Sequence, residues 1–233
     1  MKILGCERSR ELTTAGVEAA ELFAPATWTA HTVSASCGAV YPGLRPVGSW
    51  LLHPDGELRG LDPDGAGWRD RDSAEPIDLG GRSFVLAYGS NAATAKLLAR
   101  EEEEGFFCGE PVIALRAAVF GWAAVWCDAR RQRDDSVVAT LAPVPNRVEV
   151  HPVLALTRDQ LGAMNSWEGH PRFYERTVLE AQVQWESGRR AEEVIEVYLG
   201  TSERRPVLEL DGHPALLAEV SYDEVDDYVR SRR

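Results

Sequence analysis

The sequence predicts a mixed α+β fold, and three stretches carry that reading. "FVLAYGSNAATAKLLAR", Phe84 to Arg100, is an apolar run that breaks at Tyr88, passes through Gly89-Ser90-Asn91 and becomes a helix-like pattern. "TRDQLGAMNSWEG" pairs Thr157 with Gln160 in a capping-box pattern and repeats Leu161, Met164 and Trp167 at helical spacing. From Thr177 to Trp185 the residues alternate, with Ala181, Val183 and Trp185 on one face and Glu180, Gln182 and Gln184 on the other.

The elements follow in chain order. Arg10 to Phe23 reads as a helix stopped by Pro25, because Leu12, Val17, Ala20 and Phe23 share a side. Tyr41 to Gly81 is rich in Pro, Gly and Asp, which predicts mostly turns with a short strand near Ser49 to Leu52. Residues 1–81 therefore read as an appendage on a core of residues 82–233. Thr94 to Glu104 should be a helix ended by Gly105; its C-terminal acids oppose the helix dipole, so that end frays or is answered by Arg100. Strands are expected at Val112 to Trp126 and Val137 to Leu141, then in "NRVEVHPVLALT" with an edge or bulge at Pro152. A helix from Arg158 to about Trp167 precedes a hairpin whose turn is Ser187-Gly188 and whose return strand is Glu193 to Leu199. Ser221 and Glu224 form a second capping box, opening a terminal helix with Val225, Tyr228 and Val229 as its apolar stripe.

With 233 residues, 44% hydrophobic and 27% charged, the chain has the composition of one generous globular domain or a domain plus an appendage. Its apolar runs fall far short of the roughly 18 residues a membrane span needs, and Cys6-Glu7-Arg8 interrupts any signal-like start, so a cytoplasmic protein is expected. A net charge of −12, from 37 acidic and 25 basic side chains, argues against nucleic-acid and anionic-membrane partners while leaving room for a local basic site. Cys6, Cys37, Cys108 and Cys127 are scattered, which signals neither a zinc site nor a disulfide framework.

Most candidate chemistry dissolves on inspection. Asp62-Pro63-Asp64-Gly65 places its glycine fourth rather than sixth, and Ser73 stands where an EF-hand loop needs a bidentate Glu. Ser90 lacks the flanking glycines of a hydrolase elbow, having Tyr88 and Ala92 instead. Of the five histidines, four stand next to Pro and none pairs at metal-ligand spacing. What remains is the turn Gly89-Ser90-Asn91, placed between strand and helix where backbone N–H groups can face an anion. Glu168 also remains, an acid at a helix end between Trp167 and Gly169, where desolvation can raise its proton affinity.

Together these pieces resemble the γ-glutamylcyclotransferase-like family over about Phe84 to Leu199. Tyr88 to Asn91 is similar to that family's substrate-binding signature, and "LTRDQLGAMNSWEGHPRFYERTVLEAQV" resembles its later motif. Glu168 falls on the family's catalytic glutamate, Tyr174 on the tyrosine after it, and Tyr198 on a third substrate-facing tyrosine. The chain departs from the pattern at Ala92-Ala93, where a larger apolar residue is usual, and at His151-Pro152, where glycine and valine are common. The resemblance implies a small closed or nearly closed β-barrel-like sheet with flanking helices, a pocket at its mouth, and no cofactor or metal. It further implies intramolecular aminolysis of a γ-glutamyl amide to 5-oxoproline, with Glu168 as general base and then acid, and with Tyr88, Gly89, Ser90, Asn91, Tyr174 and Tyr198 holding the substrate. A second reading is a non-catalytic module that binds a small anionic metabolite or a glutamyl group in the same pocket. The sequence is silent on oligomeric state.

Overall fold

The computed structural model describes residues 10–11, 22–23, 30–34, 41–65 and 67–232. Two short strands, β1 (Arg10–Glu11) and β2 (His31–Thr32), precede β3 (Ser49–Leu52), β4 (Glu57–Asp64), β5 (Gly67–Asp70) and β6 (Ser83–Leu86). After a 3₁₀ turn at Ser90–Ala92 come α1 (Thr94–Glu104), the long strands β7 (Val112–Arg130) and β8 (Val137–Leu156), and α2 (Arg158–Glu168). The chain ends with β9 (Tyr174–Val178), β10 (Gln182–Trp185), β11 (Ile195–Gly200), the ribbon β12 (Glu209–Leu210) and β13 (His213–Pro214), and α3 (Tyr222–Ser231).

The architecture is mixed α+β, with three helices beside one large, mostly antiparallel sheet among the described residues. Its main path runs β2-β4-β3-β7-β8-β6-β11-β9, and β6 and β11 are its parallel pair. The sheet curls: β9 pairs with β11, while β10, a few residues further on, pairs with β7 at Val183↔Val119. The described ladders leave β9 and β10 as separate strands and do not join them into a ring.

Alternation along the strands divides the core. Leu51, Leu86, Ile113 and Leu115 pack with Trp68, Val183 and Trp185 on one face. Their sequence neighbours Trp50, Leu52, Val85, Val112 and Ala114 pack on the other, beneath Leu97 of α1 and Met164 of α2. Strands buried on both faces need near-continuous apolar sequence, which β3, β6 and the start of β7 supply.

Several expectations change. The predicted helix Arg10 to Phe23 falls largely outside the described residues, and Arg10–Glu11 pair as a strand with Val148 and Arg147 of β8. The region expected to be mostly turns contains β4 and β5 as well as β3, and β3 joins β7 at Trp50↔Ala114. Leu58, Leu61 and Trp68 are buried there, so apolar pairing overrides the turn-rich composition. Pro152 makes no bulge; it stays in register with Arg116, and its carbonyl accepts from Ala87 N just past the end of β6, so its missing N–H costs only the reciprocal bond at the end of that ladder. The irregularities fall instead in β7, at Gly121 with φ 77° and between Trp126 and Arg130. The predicted hairpin of 177–199 divides: β9 takes the pairing with β11, and β10 leaves for β7. Tyr228 of the terminal helix stripe is exposed, while Val225 and Val229 are buried.

Candidate active site

The seven residues singled out above gather around a cavity of about 530 Å³: Tyr88, Gly89, Ser90, Asn91, Glu168, Tyr174 and Tyr198 all line it. Three chain segments deliver them. Leu86 ends β6, the chain crosses Tyr88 and Gly89, and the 3₁₀ turn Ser90–Ala92 leads into α1. The first N–H groups of such a turn have no earlier helical partner.

Glu168 closes α2. That helix is fixed at its start by the reciprocal Thr157–Gln160 capping box. The buried Gln160 also donates from Nε2 to the carbonyls of Phe107 at 3.0 Å and Glu110 at 2.9 Å. At its end Gly169 adopts φ 62°, and a Cβ there would stand 2.6 Å from Phe173. Only glycine gives both the left-handed stop and the close approach.

The Glu168 carboxylate is half-buried and accepts from Asn91 Nδ2 at 2.7 Å. Desolvation raises its pKa above the ordinary glutamate value, opposed by the Asn91 bond and by the charges of Arg131, Arg100 and Arg205. These arginines and Arg133 line the cavity, a cationic rim in a chain of net charge −12. Arg131 is clamped by Asp134 at 2.9 and 2.5 Å, and Arg100 by Glu104 at 2.7 Å while its guanidinium lies 4.3 Å above the Trp167 ring.

The tyrosines are walls and donors. Tyr88 donates to Tyr198 O at 2.5 Å, Tyr174 to Ala139 O at 3.0 Å, and Tyr198 to Asn165 Oδ1 at 2.7 Å. Burial pushes all three phenols above the usual tyrosine range, and the Glu168 charge adds to the rise, so they keep their protons. Burial also pushes the nearby Cys127 thiol up to about 12, which makes it a poor nucleophile.

The chain is similar to γ-glutamyl cyclotransferases of known structure. A protein titled gamma-glutamyl cyclotransferase is 17% identical with a TM-score of 0.41, covering 52% of this chain and 67% of its own. YkqA from Bacillus subtilis is 12% identical with a TM-score of 0.43, covering 79% and 80%. A yeast cyclotransferase titled as specific to glutathione is 14% identical with a TM-score of 0.38, covering 66% and 88%. No family model and no curated protein matches the sequence.

Sequence reasoning missed Tyr41, Arg45, Arg131 and Arg205. Tyr41 reaches the cavity from before the predicted core; its hydroxyl accepts from Ala139 N at 3.0 Å, and a Cβ on Gly89 would lie 2.9 Å from it. Gly89 is therefore needed for space, since its φ of −104° suits any residue. Arg205 is buried over the Phe173 ring, 5.1 Å from its centre. Tyr41, Arg45 and Arg205 sit in no local pattern and are brought in by long-range pairing, whereas Arg131 is held within the β7–β8 connection by Asp134. Among the described residues no group of three His, Cys, Asp or Glu side chains gathers in a way that suits a metal ion, and no helix is long and apolar enough to cross a membrane.

Proposed function

We propose that the cavity is the active site of a cyclotransferase that acts on a γ-glutamyl amide or amine. The observation that supports it most is the Glu168 carboxylate, held by Asn91 and raised in proton affinity, in a cavity lined, among the described residues, by four arginines and one other carboxylate, Glu104, which is paired with Arg100. A site for an anionic group alone gains nothing from such a carboxylate, whereas a base that must accept and return a proton near neutral pH does.

In this reading the substrate's α-carboxylate faces the arginine rim. Its α-ammonium gives a proton to Glu168, and the freed amine nitrogen attacks its own γ-carbonyl carbon, forming the new C–N bond of the five-membered ring. The turn N–H groups at Gly89-Ser90-Asn91 receive the negative charge that develops on the carbonyl oxygen. Each of the two protons shed by the attacking nitrogen, one before attack and one after ring closure, passes through Glu168 to the leaving nitrogen, whose bond to the carbonyl carbon breaks, giving 5-oxoproline and the amine as its ammonium. Tyr88, Tyr174 and Tyr198 hold the glutamyl chain curled, so that much of the acceleration comes from a near-attack shape. The curled sheet serves as a nearly closed barrel with the cavity at its mouth. Residues 1–81, through Tyr41, shape the leaving-group side.

The test is release of 5-oxoproline by the purified chain from a panel of γ-glutamyl amino acids and γ-glutamyl amines, with Glu168→Gln alongside. Turnover in the wild type that falls by about 10²-fold or more in the variant is expected. Ligands that bind while no 5-oxoproline forms would replace catalysis with a binding role for the pocket.

A further inference from the structure

Behind the turn, away from the cavity, lies a buried series of side chains that the reaction above leaves without a part. Arg45 donates from Nη2 to the carbonyl of Tyr88 at 2.5 Å and to that of Gly89 at 3.2 Å. Its Nη1 lies 3.5 Å from His151 Nδ1, and His151 Nε2 lies 2.8 Å from Glu149 Oε2. That same oxygen accepts from Ala124 N at 2.8 Å. With the imidazole proton on Nε2 facing Glu149, Nδ1 accepts from the guanidinium, so the three side chains form one directed series. Arg45, His151 and Glu149 are 6%, 1% and 3% exposed.

A buried guanidinium is costly unless its donors are used, and here a pair of consecutive backbone carbonyls receives one of its nitrogens. A trans peptide holds its N–H opposite its C=O. Carbonyls of Tyr88 and Gly89 turned towards Arg45 therefore direct the N–H groups of Gly89 and Ser90 the other way. That other side is the cavity wall, which Tyr88, Gly89 and Ser90 line and Arg45 does not.

We infer that Arg45 is a positioning residue for the turn: it aims the Gly89 and Ser90 N–H groups into the cavity, with His151 and Glu149 holding the guanidinium in register. The kinetic side of this inference rests on the cyclotransferase reading; the geometric side stands on anion binding alone. It also gives the segment around Arg45 a task in the site, which a purely cohesive contact between that segment and the sheet would lack.

The experiment compares wild type, Arg45→Ala and Arg45→Lys in the full chain. Arg45→Lys keeps the charge and most of the volume, but an ammonium lacks the planar fork. On whichever substrate the panel yields, kcat should fall about 100-fold in Arg45→Ala with KM little changed, and by a lesser factor in Arg45→Lys. A folded Arg45→Ala with wild-type kcat overturns the inference; if Arg45→Ala does not fold, Arg45→Lys is judged by the same reading. In parallel, ¹⁵N-labelled proteins are titrated with 5-oxoproline. The Gly89 and Ser90 amide resonances should shift in the wild type and shift less in Arg45→Lys, while amides of β7 and β8 stay in place. Equal shifts in both proteins, or no shift at these amides in the wild type, overturn the inference. Failure of the cyclotransferase reading is seen separately, as absence of 5-oxoproline release by the wild type.

Discussion

Asn91 donates its side-chain N–H to Glu168 at 2.7 Å, joining residues 77 positions apart in the chain. The bond favours the ionised carboxylate and so works against the desolvation that raises its pKa. Asn91→Ala should therefore raise the Glu168 pKa further and move the acid limb of the pH profile of kcat/KM upward. Below neutral pH the loss should be on the order of tenfold, the worth of one hydrogen bond to a charged group. Superimposable acid limbs in the two proteins would mean that a different group titrates.

Gly89 and Tyr41 form a second linked pair, because the space a Cβ would take at Gly89 is held by the Tyr41 hydroxyl. Gly89→Ala should destabilise the protein by about 1–3 kcal/mol through overpacking, and should displace the turn and lower kcat. Adding Tyr41→Phe removes the obstructing oxygen and should restore part of both losses, less what Ala139 N forfeits in its acceptor. A double-mutant cycle by thermal melting and steady-state kinetics reads this; simple additivity would refute the contact as the cause.

Ionised Glu168 also bears on stability. Its folded pKa is raised, so the folded state binds the proton more tightly than the unfolded chain does; its favourable contribution is complete below the ordinary glutamate pKa and disappears as pH rises through the folded value. Glu168→Gln, which keeps an oxygen for Asn91, should melt at a higher temperature than wild type at neutral pH. That advantage should shrink as pH falls through the glutamate range. Melting curves across pH decide it, and a variant that melts lower at neutral pH would contradict the cost assigned to the ionised group.

Gln160 ties α2 to the loop before β7. Gln160→Ala removes half of the capping box and leaves the Phe107 and Glu110 carbonyls without that donor, for an expected loss of about 2–4 kcal/mol in urea unfolding. A loss no greater than that of a surface substitution would show that other contacts seat the helix.

Much of this molecule could be read from local pattern. Both capping boxes, the Gly105 stop of α1 and the Arg100–Glu104 pair follow from neighbours within a few residues, and such signals survive folding unchanged. Breaks were harder to read. Pro152 looked like an interruption, yet it lies just past the end of β6, where its missing N–H costs one terminal bond, and the irregularities fall within the long strand β7, at Gly121 and between Trp126 and Arg130. β4 and β5 were hidden because Gly, Pro and Asp are poor strand formers, and only burial of Leu61 and Trp68 against the sheet reveals why the chain extends there. In the cavity, Tyr88 to Asn91 and Glu168 stand in recognisable local contexts. Arg45 and Arg205 do not, because what places them is reach across the fold: Arg45 donates to the carbonyls of the turn, and Arg205 to the carbonyl of Arg130 at the end of β7.

The pairing of β3 with β7 has a consequence for synthesis. A chain made from its N-terminus emerges from the ribosome with Trp50 and Leu52 already present, but their partners Ala114 and Val112 come only after β6 and α1 have been made. During that interval one side of a short, largely apolar strand lacks its neighbour, a condition that invites pairing with the wrong edge. β4, which follows directly and holds Leu52 opposite Leu58, is the element that can shield the other side in the meantime.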